Sequence, residues 1–300
     1  MSIVTPWIAQ IVHAALLLLA APVMAGLMVF LRERLAGRDG SPILQPWRDL
    51  RRLLRKEPVL DEHGSIFLRA APALSLTLAF VAAQLVPSFT LGMAMAPMAD
   101  TLTLVSLLGL GRVVLILAVM DTGSGDGGVI AMRTTNLAVF ADSAFLLALL
   151  GLSLVLGGGN LDFLLDSLRE SGWSVGVGAE LAIATLALAV WAETAAVPLD
   201  HAFSARDLAA VRLAEDIGRL TRLTLATALI CPAGIAPPEA DMLSWIIGLA
   251  AWSVRLMVGA LVVAGIGVLA GSPRPRLVLP MAVLLAGLAL VLALSSMAPA

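Results

Sequence analysis

Long apolar stretches separated by short polar segments run through the whole chain. Each is about 18 residues or longer, enough to cross a bilayer as a helix that rises 1.5 Å per residue. The pattern predicts eight spans, at residues 7–31, 67–88, 101–120, 136–157, 176–198, 218–235, 243–270 and 276–297. The chain is therefore expected to be an all-α integral membrane protein, with one polytopic domain over residues 1–300.

The polar segment after the first span has a helical pattern of its own. In residues 42–57 apolar side chains recur every three or four positions, so they share one face: Ile43, Leu44, Trp47, Leu50, Leu53 and Leu54. Basic side chains take the other face: Arg48, Arg51, Arg52, Arg55 and Lys56. This predicts an amphipathic helix along the membrane surface, in contact with lipid headgroups or a partner protein.

Composition removes most other classes of protein. Hydrophobic residues make up 60% and charged residues 13% of the chain, whereas soluble domains average about 25% charged residues. The net charge of −2 does not suggest nucleic acid as a partner. The single cysteine, Cys231, can form neither an internal disulfide nor a cysteine-ligated metal site. We therefore expect no metal, cofactor or catalytic site in this chain, and any redox cofactor would belong to a partner subunit.

Basic residues are distributed asymmetrically between the two sets of loops. The loops after spans one, three, five and seven, with their flanks, hold sixteen of the nineteen Lys and Arg residues. The positive-inside rule places these loops in the cytoplasm and both termini outside, in the periplasm if the membrane is a bacterial inner membrane. One of the cytoplasmic loops, residues 199–218, is expected to carry both acidic and basic side chains.

Apart from the basic residues counted with the loop flanks, six ionisable residues are singled out within predicted spans: His13, Arg112, Asp142, Glu180, Glu193 and Arg255. A charge at mid-bilayer costs about 2.5–3.5 kcal/mol on insertion scales, so such residues are paired or lie in a wet cavity. In one interpretation the carboxylates form a proton path with those of the 199–218 loop: Asp142, Glu180, Glu193, Asp200, Asp207, Glu215 and Asp216.

The alternative interpretation is structural. Asp142 and Glu193 would then pair with Arg112 or Arg255, the two expected intramembrane charge partners. The loop carboxylates would be a solvated face, and His13 a hydrogen-bonded packing residue. Both interpretations remain open from the sequence.

Three segments resemble a known family. They are GRDGSP at 37–42 followed by LQPWRDL at 44–50 and LRKE at 54–57, then DTGSGDGGVIAMR at 121–133, and AETAAVPLD at 192–200. Together they resemble the membrane-anchor subunit family of complex I subunit 1 and formate hydrogenlyase subunit 4, in its group 4 hydrogenase branch. The second segment is expected to be a Gly-rich cytoplasmic loop that packs against a partner.

The resemblance implies a subunit of an oxidoreductase complex that couples electron transfer to H⁺ or Na⁺ translocation. Its expected partners are peripheral hydrogenase-like large and small subunits and antiporter-like membrane subunits. Iron–sulfur clusters, and in hydrogenase-type partners a nickel–iron centre, would lie in those partners. The expected docking residues for partner or lipid are Arg38, Gln45, Trp47, Arg48, Asp49, Arg51, Arg52 and Arg133.

The chain departs from the family pattern at acidic positions. Thr134 stands where the family has Glu directly after the loop arginine, and Asp142-Ser143 stands where the hydrogenase branch often has Glu-Pro. After Asp200 the family's cluster of Glu and His is shortened. Two other functions are considered: a quinone-reducing NADH dehydrogenase subunit 1, disfavoured by the short 37–42 loop, and a stand-alone secondary transporter, disfavoured by the absence of repeat symmetry.

Overall fold

The structure is a computed structural model that describes residues 4–57, 65–171, 176–193, 203, 205–238, 241–269 and 275–297. In these residues the regular structure is helical. The helices are α1 (Val4–Leu35), α2 (Gln45–Leu54), α3 (Ile66–Gln84), α4 (Thr101–Asp121), α5 (Gly125–Leu156), α6 (Leu161–Ser171), α7 (Val177–Glu193), α8 (Ala205–Ile230), α9 (Met242–Leu269) and α10 (Pro275–Met297), with a short 3₁₀ turn at Ala96–Met98.

The eight longer helices match the eight predicted spans. Six helices of the described part are long and apolar enough to cross a membrane: α1, α3, α4, α5, α9 and α10. The fifth and sixth predicted spans correspond to α7, described over 17 residues, and to the more highly charged α8. The expectation of an all-α, multi-pass membrane protein is confirmed.

Small residues bring three of these helices close together. Ala144 on α5, Ala189 on α7 and Ala282 on α10 are buried and form one contact cluster. Alanine lets helix backbones approach closely, which stabilises helix pairs in lipid through van der Waals contact. The result is a tight α5–α7–α10 unit beside a second group formed by α1, α3, α8 and α9.

The amphipathic helix α2 lies against the bundle. A Cβ on Gly26 of α1 would overlap the carbonyl oxygen of Ile43, so α1 and the segment before α2 approach to a distance that only glycine permits. The Trp47 indole N–H donates to the carbonyl of Leu19, 3.2 Å away. Leu50 and Leu53 are buried against Ala209 of α8. The expected apolar face therefore covers part of α8.

The opposite side of the bundle is closed by loops and by α6. The N–H of Leu91 donates to the carbonyl of Ala236 (2.9 Å), and the N–H of Ala236 donates to that of Phe89 (2.9 Å). The Asp162 carboxylate of α6 accepts a hydrogen bond from the N–H of Gly92, 2.6 Å away. These contacts join the loop after α3 to the loop after α8 and to α6. We call this the α6 side, and the other end the α2 side.

Three segments differ from the sequence prediction. The expected Gly-rich loop is helical from Gly125, because the Ser124 hydroxyl caps the helix by accepting from the N–H of Gly127 (3.0 Å). The expected 199–218 loop is helical from Ala205, since its apolar side chains pack on α2 and α3. The amphipathic helix α6, which buries Leu161, Leu164, Leu165 and Leu168, was not predicted.

Candidate functional site

Four charged side chains from four helices meet between the two halves of the bundle. Arg112 of α4 donates through Nη1 to Asp142 Oδ1 of α5 (2.9 Å) and through Nη2 to Glu193 Oε1 of α7 (2.8 Å). Arg222 of α8 places Nε 3.3 Å from Glu193 Oε1 and Nη2 3.9 Å from Asp142 Oδ1. We call Arg112, Asp142, Glu193 and Arg222 the charge cluster.

The charge cluster is largely shielded from solvent and formally neutral. The exposed side-chain fractions are 8% for Arg222, 12% for Glu193, 19% for Arg112 and 23% for Asp142. Paired opposite charges offset one another's desolvation, whereas removing one partner leaves an uncompensated buried charge. A change in the charge of either carboxylate must therefore be accompanied by movement of a guanidinium, of a proton or of another ion.

A second ion-pair group continues from the charge cluster along α8. Arg219 contacts Glu215 at 3.1 Å and Asp216 at 3.5 Å. Residues three, four and seven positions apart share one face of a helix, so Glu215, Arg219 and Arg222 point the same way. Charged side chains thus follow α8 from the charge cluster toward the α2 side.

Two cavities border these charges. The larger has a volume of about 460 Å³ and lies between α1, α2, α7, α8 and α9, with mostly apolar walls. The smaller has a volume of about 100 Å³ and lies between α3, α4, α5, α7 and α8. Glu193, Glu215 and Arg219 line both cavities, so these three side chains separate the two spaces.

The structure brings only some of the predicted proton-path residues together. Asp142 and Glu193 share Arg112, as the structural interpretation expected, while Glu215 and Asp216 lie further along α8 and contact Arg219. Glu180 is exposed in the first turn of α7, thirteen residues from Glu193 and about 20 Å away along the helix axis. Asp207 lies in the first turn of α8, and Asp200 lies outside the described residues.

The other predicted charge partner, Arg255, lies in a different environment. Its guanidinium donates to the carbonyls of Cys231 (3.2 Å) and Ser88 (3.0 Å). Cys231 directly follows the carboxyl end of α8, where the helix dipole favours a cation. His13 is fully buried beside it, with Nδ1 2.8 Å from Ser88 Oγ and Nε2 3.1 Å from the carbonyl of Ala83. These contacts tie α1 and α9 to the loops of the α6 side.

Sequence reasoning missed Arg222 as a member of the charge cluster. It was counted with the basic residues that flank the cytoplasmic loop. Its position inside the predicted span 218–235, on the same helical face as Glu215, was the available signal. Its partners lie 29 and 80 positions away in the chain, and a single sequence does not reveal such contacts.

The predicted docking residues lie mainly on the outside of the α2 side. Arg38, Gln45, Arg48, Arg51, Arg52 and Arg133 are exposed, whereas Trp47 and Asp49 are half-buried. Asp49 lies 3.5 Å from Arg52 Nη2 and accepts from Gln45 Nε2 at 3.3 Å. Most guanidinium groups of α2 therefore remain available to a ligand or partner.

Fold and site together define a polytopic α-helical membrane protein with ion pairs buried between its helices and a basic helix on one side. A family model described as NADH dehydrogenase matches residues 8–295. The chain therefore belongs to this family, that of NADH dehydrogenase subunit 1, and the resemblance drawn from its three motifs is confirmed.

Two similar proteins are named as a component or subunit of a larger enzyme. Hydrogenase-4 component C of Escherichia coli (strain K12) is 29% identical over 206 residues, which cover 69% of this chain and 65% of that protein. Formate hydrogenlyase subunit 4 of the same strain is 27% identical over 208 residues, 69% of this chain and 68% of that protein. The match thus spans slightly less than two thirds of hydrogenase-4 component C.

A solved structure shares the fold. It is that of the membrane-bound sulfane sulfur reductase, an archaeal respiratory membrane complex, with a TM-score of 0.77 and 16% sequence identity. The similarity covers 95% of this chain and 98% of the compared chain. The two chains therefore share their fold over nearly the full length of each.

Proposed function

We propose that this chain is the membrane-anchor subunit of an energy-converting redox complex of the hydrogenase type. It docks a peripheral hydrogenase-like module with iron–sulfur clusters and joins that module to antiporter-like membrane subunits. Family membership and the names of its relatives support the assignment. The observation that carries the coupling role is the charge cluster, held by four helices and bordered by both cavities.

The charge cluster supplies a physical basis for coupling. Arg112 and Arg222 each contact both Asp142 and Glu193, so a charge arriving near one helix changes the balance on the other three. Electrostatic forces are strong here because the side chains are shielded from water. A charge change in the peripheral module would reach the cluster through Glu215 and Arg219, which border the larger cavity beside α2.

Docking is assigned to the exposed face of α2. Arg48, Arg51 and Arg52 project from a helix that is held to the bundle by Gly26, Trp47 and Leu50. A rigid basic surface of this kind can bind an acidic protein face, anionic headgroups, or both. By the distribution of basic residues, this side faces the cytoplasm of a bacterial inner membrane and both termini face the periplasm.

Replacing Arg48, Arg51 and Arg52 with Glu tests the docking role in isolated membranes. The triple variant should release the peripheral module, while this subunit stays inserted and its partners in the membrane stay bound. Three Lys substitutions at the same positions provide the matched control, because they retain the positive charge. Retention of the module by the Glu variant through a salt wash would refute the docking role.

A quinone-reducing subunit is the second candidate function, and the larger cavity favours it. A volume of about 460 Å³ with mostly apolar walls and a charged end at Arg212, Glu215 and Asp216 suits an amphiphilic head group. Protection of a cysteine introduced at Val263 by a short-chain quinone would support this candidate. Equal labelling with and without the quinone would exclude it.

A further inference from the structure

One buried hydroxyl group beside the charge cluster has no hydrogen-bond partner among the described residues. It belongs to Thr134 of α5, whose residue exposure is 6%. Threonines in helices commonly donate to the carbonyl four residues earlier. Thr135 does so to Ala131 (2.8 Å), and Thr221 does so to Ile217 (2.7 Å). Thr134 instead lines the smaller cavity.

The smaller cavity has several charged side chains among its apolar walls and is large enough for solvent. Its volume of about 100 Å³ is several times the ~10–15 Å³ that one water needs, so it has room for more than one water molecule. Most of the polar residues in its walls are charged. The polar residues are Ser75, Arg112, Thr134, Glu193, Glu215, Arg219 and Arg222. A buried water needs two to four polar partners, and this lining supplies both donors and acceptors.

The charge balance around the cavity favours water over an anion. Its three guanidinium groups, on Arg112, Arg219 and Arg222, contact four carboxylates: Asp142, Glu193, Glu215 and Asp216. An additional anion would increase a formal excess of negative charge in a shielded space, whereas neutral water would not. The short, uncharged side chain of Thr134 adds no charge to this balance and leaves room for solvent.

We propose that the smaller cavity holds a cluster of ordered water molecules, anchored by the Thr134 hydroxyl, that connects the carboxyl groups of Glu193 and Glu215. The hydroxyl accepts a hydrogen bond from one water and donates to another, so Thr134 is a positioning residue. A proton that leaves one carboxyl group is passed through the waters, each of which accepts one proton and releases one, and arrives at the other carboxylate. The role in proton transfer rests on the proposed coupling function, whereas the water site does not.

Two variants separate the hydroxyl from its volume. Thr134→Val keeps the shape and removes the hydroxyl, and Thr134→Ser keeps the hydroxyl. Thr135→Val is the control, because it is the same change at the adjacent, exposed position outside the cavity. Cryo-EM maps of the complex that resolve water should show density within hydrogen-bond distance of residue 134 in the wild type and Thr134→Ser. Thr134→Val should lose that density.

Proton translocation by the reconstituted complex tests the transfer role. Thr134→Val should slow proton uptake roughly tenfold, corresponding to the loss of one hydrogen bond, and Thr134→Ser and Thr135→Val should not.

A dry cavity in the wild-type map would overturn the water site. Water in the map with normal uptake by Thr134→Val would overturn the transfer role. If Thr134→Val does not assemble, the wild-type and Thr134→Ser maps decide the water site. Thr134→Ala, which also lacks the hydroxyl, then decides the transfer role: slowed uptake supports it, and uptake at the wild-type rate refutes it.

Discussion

At the scale of single residues, the charge cluster depends on its balance of two guanidinium groups and two carboxylates. Glu193 Oε1 accepts from Arg112 and lies 3.3 Å from Arg222 Nε. Either arginine alone would leave the two carboxylates facing a single positive charge. The pairing therefore serves both stability and the proposed coupling, and substitutions must be chosen to separate the two.

Arg222→Gln should destabilise the protein by about 3–5 kcal/mol, because it leaves a buried carboxylate without its partner. Arg219→Gln is the control on the same helix, since its half-exposed ion pairs contribute only about 0–1 kcal/mol. Unfolding followed in detergent by the loss of helical circular dichroism compares the two. Equal stability of the two variants would mean that Arg222 is not an essential part of the charge cluster.

Residue types in the site were predictable, but the choice between Arg112 and Arg255 as the partner of the carboxylates was not. The cost of intramembrane charges singled out Arg112, Asp142 and Glu193 from the sequence, and the structure joins all three. Arg255 was singled out by the same argument, yet it binds carbonyl groups at a helix end. Hydropathy identifies a buried charge, whereas tertiary packing chooses the group that satisfies it.

At the scale of elements, α2 is held by a close contact with α1. Gly26→Val should force α2 away, because any Cβ at this position overlaps the Ile43 carbonyl. Hydrogen exchange of the backbone amides in residues 45–54 should then become faster. Gly287→Val in α10 is the control, since a Cβ there meets nothing within 4 Å. Unchanged protection of α2 in the Gly26 variant would contradict the contact.

The junction of α6 with the loop after α3 should depend on pH. Burial raises the pKa of Asp162 above its ordinary value of 3.8. The hydrogen bond from the Gly92 N–H acts to lower this pKa, and the charge of the neighbouring Asp166 adds to the rise. The folded protein therefore binds this proton more tightly than the unfolded chain, and its stabilising effect is lost as pH rises through the raised pKa.

Thermal unfolding of wild type and Asp162→Asn tests this dependence. The melting temperature of the wild type should rise relative to that of the variant as the pH falls from 7 toward 4. Asp39→Asn, at an exposed position, is the control and should follow the wild type. A constant difference between wild type and Asp162→Asn at all pH values would refute the effect of burial.

Hydropathy predicted the long helices well and the short or polar ones poorly. Residues 121–133 were expected to form a Gly-rich loop, but the Ser124 cap and contacts with α4 start α5 at Gly125, about three turns before the predicted span. α6 is only 11 residues long, so its pattern of four buried leucines was too short to stand out between two spans. Caps and tertiary contacts decide such segments.

At the scale of the whole molecule, the two sides of the bundle should face different compartments. In a Cys231→Ser background, Asp39→Cys on the α2 side and Glu170→Cys on the α6 side provide exposed labelling sites. A membrane-impermeant thiol reagent added outside should label position 170 at once and position 39 only after permeabilisation. The reverse order would invert the orientation proposed from the basic residues.

The proposed coupling would be a property of the assembled complex. In this chain α2 lies beside the larger cavity, and the charge cluster lies beyond it. Glu193 borders both cavities and contacts both buried arginines. It is therefore the residue at which docking, charge and ion movement would meet.

The ratio of ions translocated to electrons transferred, measured in the reconstituted complex with Glu193→Gln, tests the central claim most directly. Glutamine keeps the shape but removes the charge, so electron transfer should continue while the ratio falls sharply. Glu180→Gln is the control, because it is the same change at an exposed position of the same helix. Arg112→Gln combined with Glu193→Gln restores the charge balance and should assemble normally while remaining uncoupled. A normal ratio in the Glu193 variants would contradict the account.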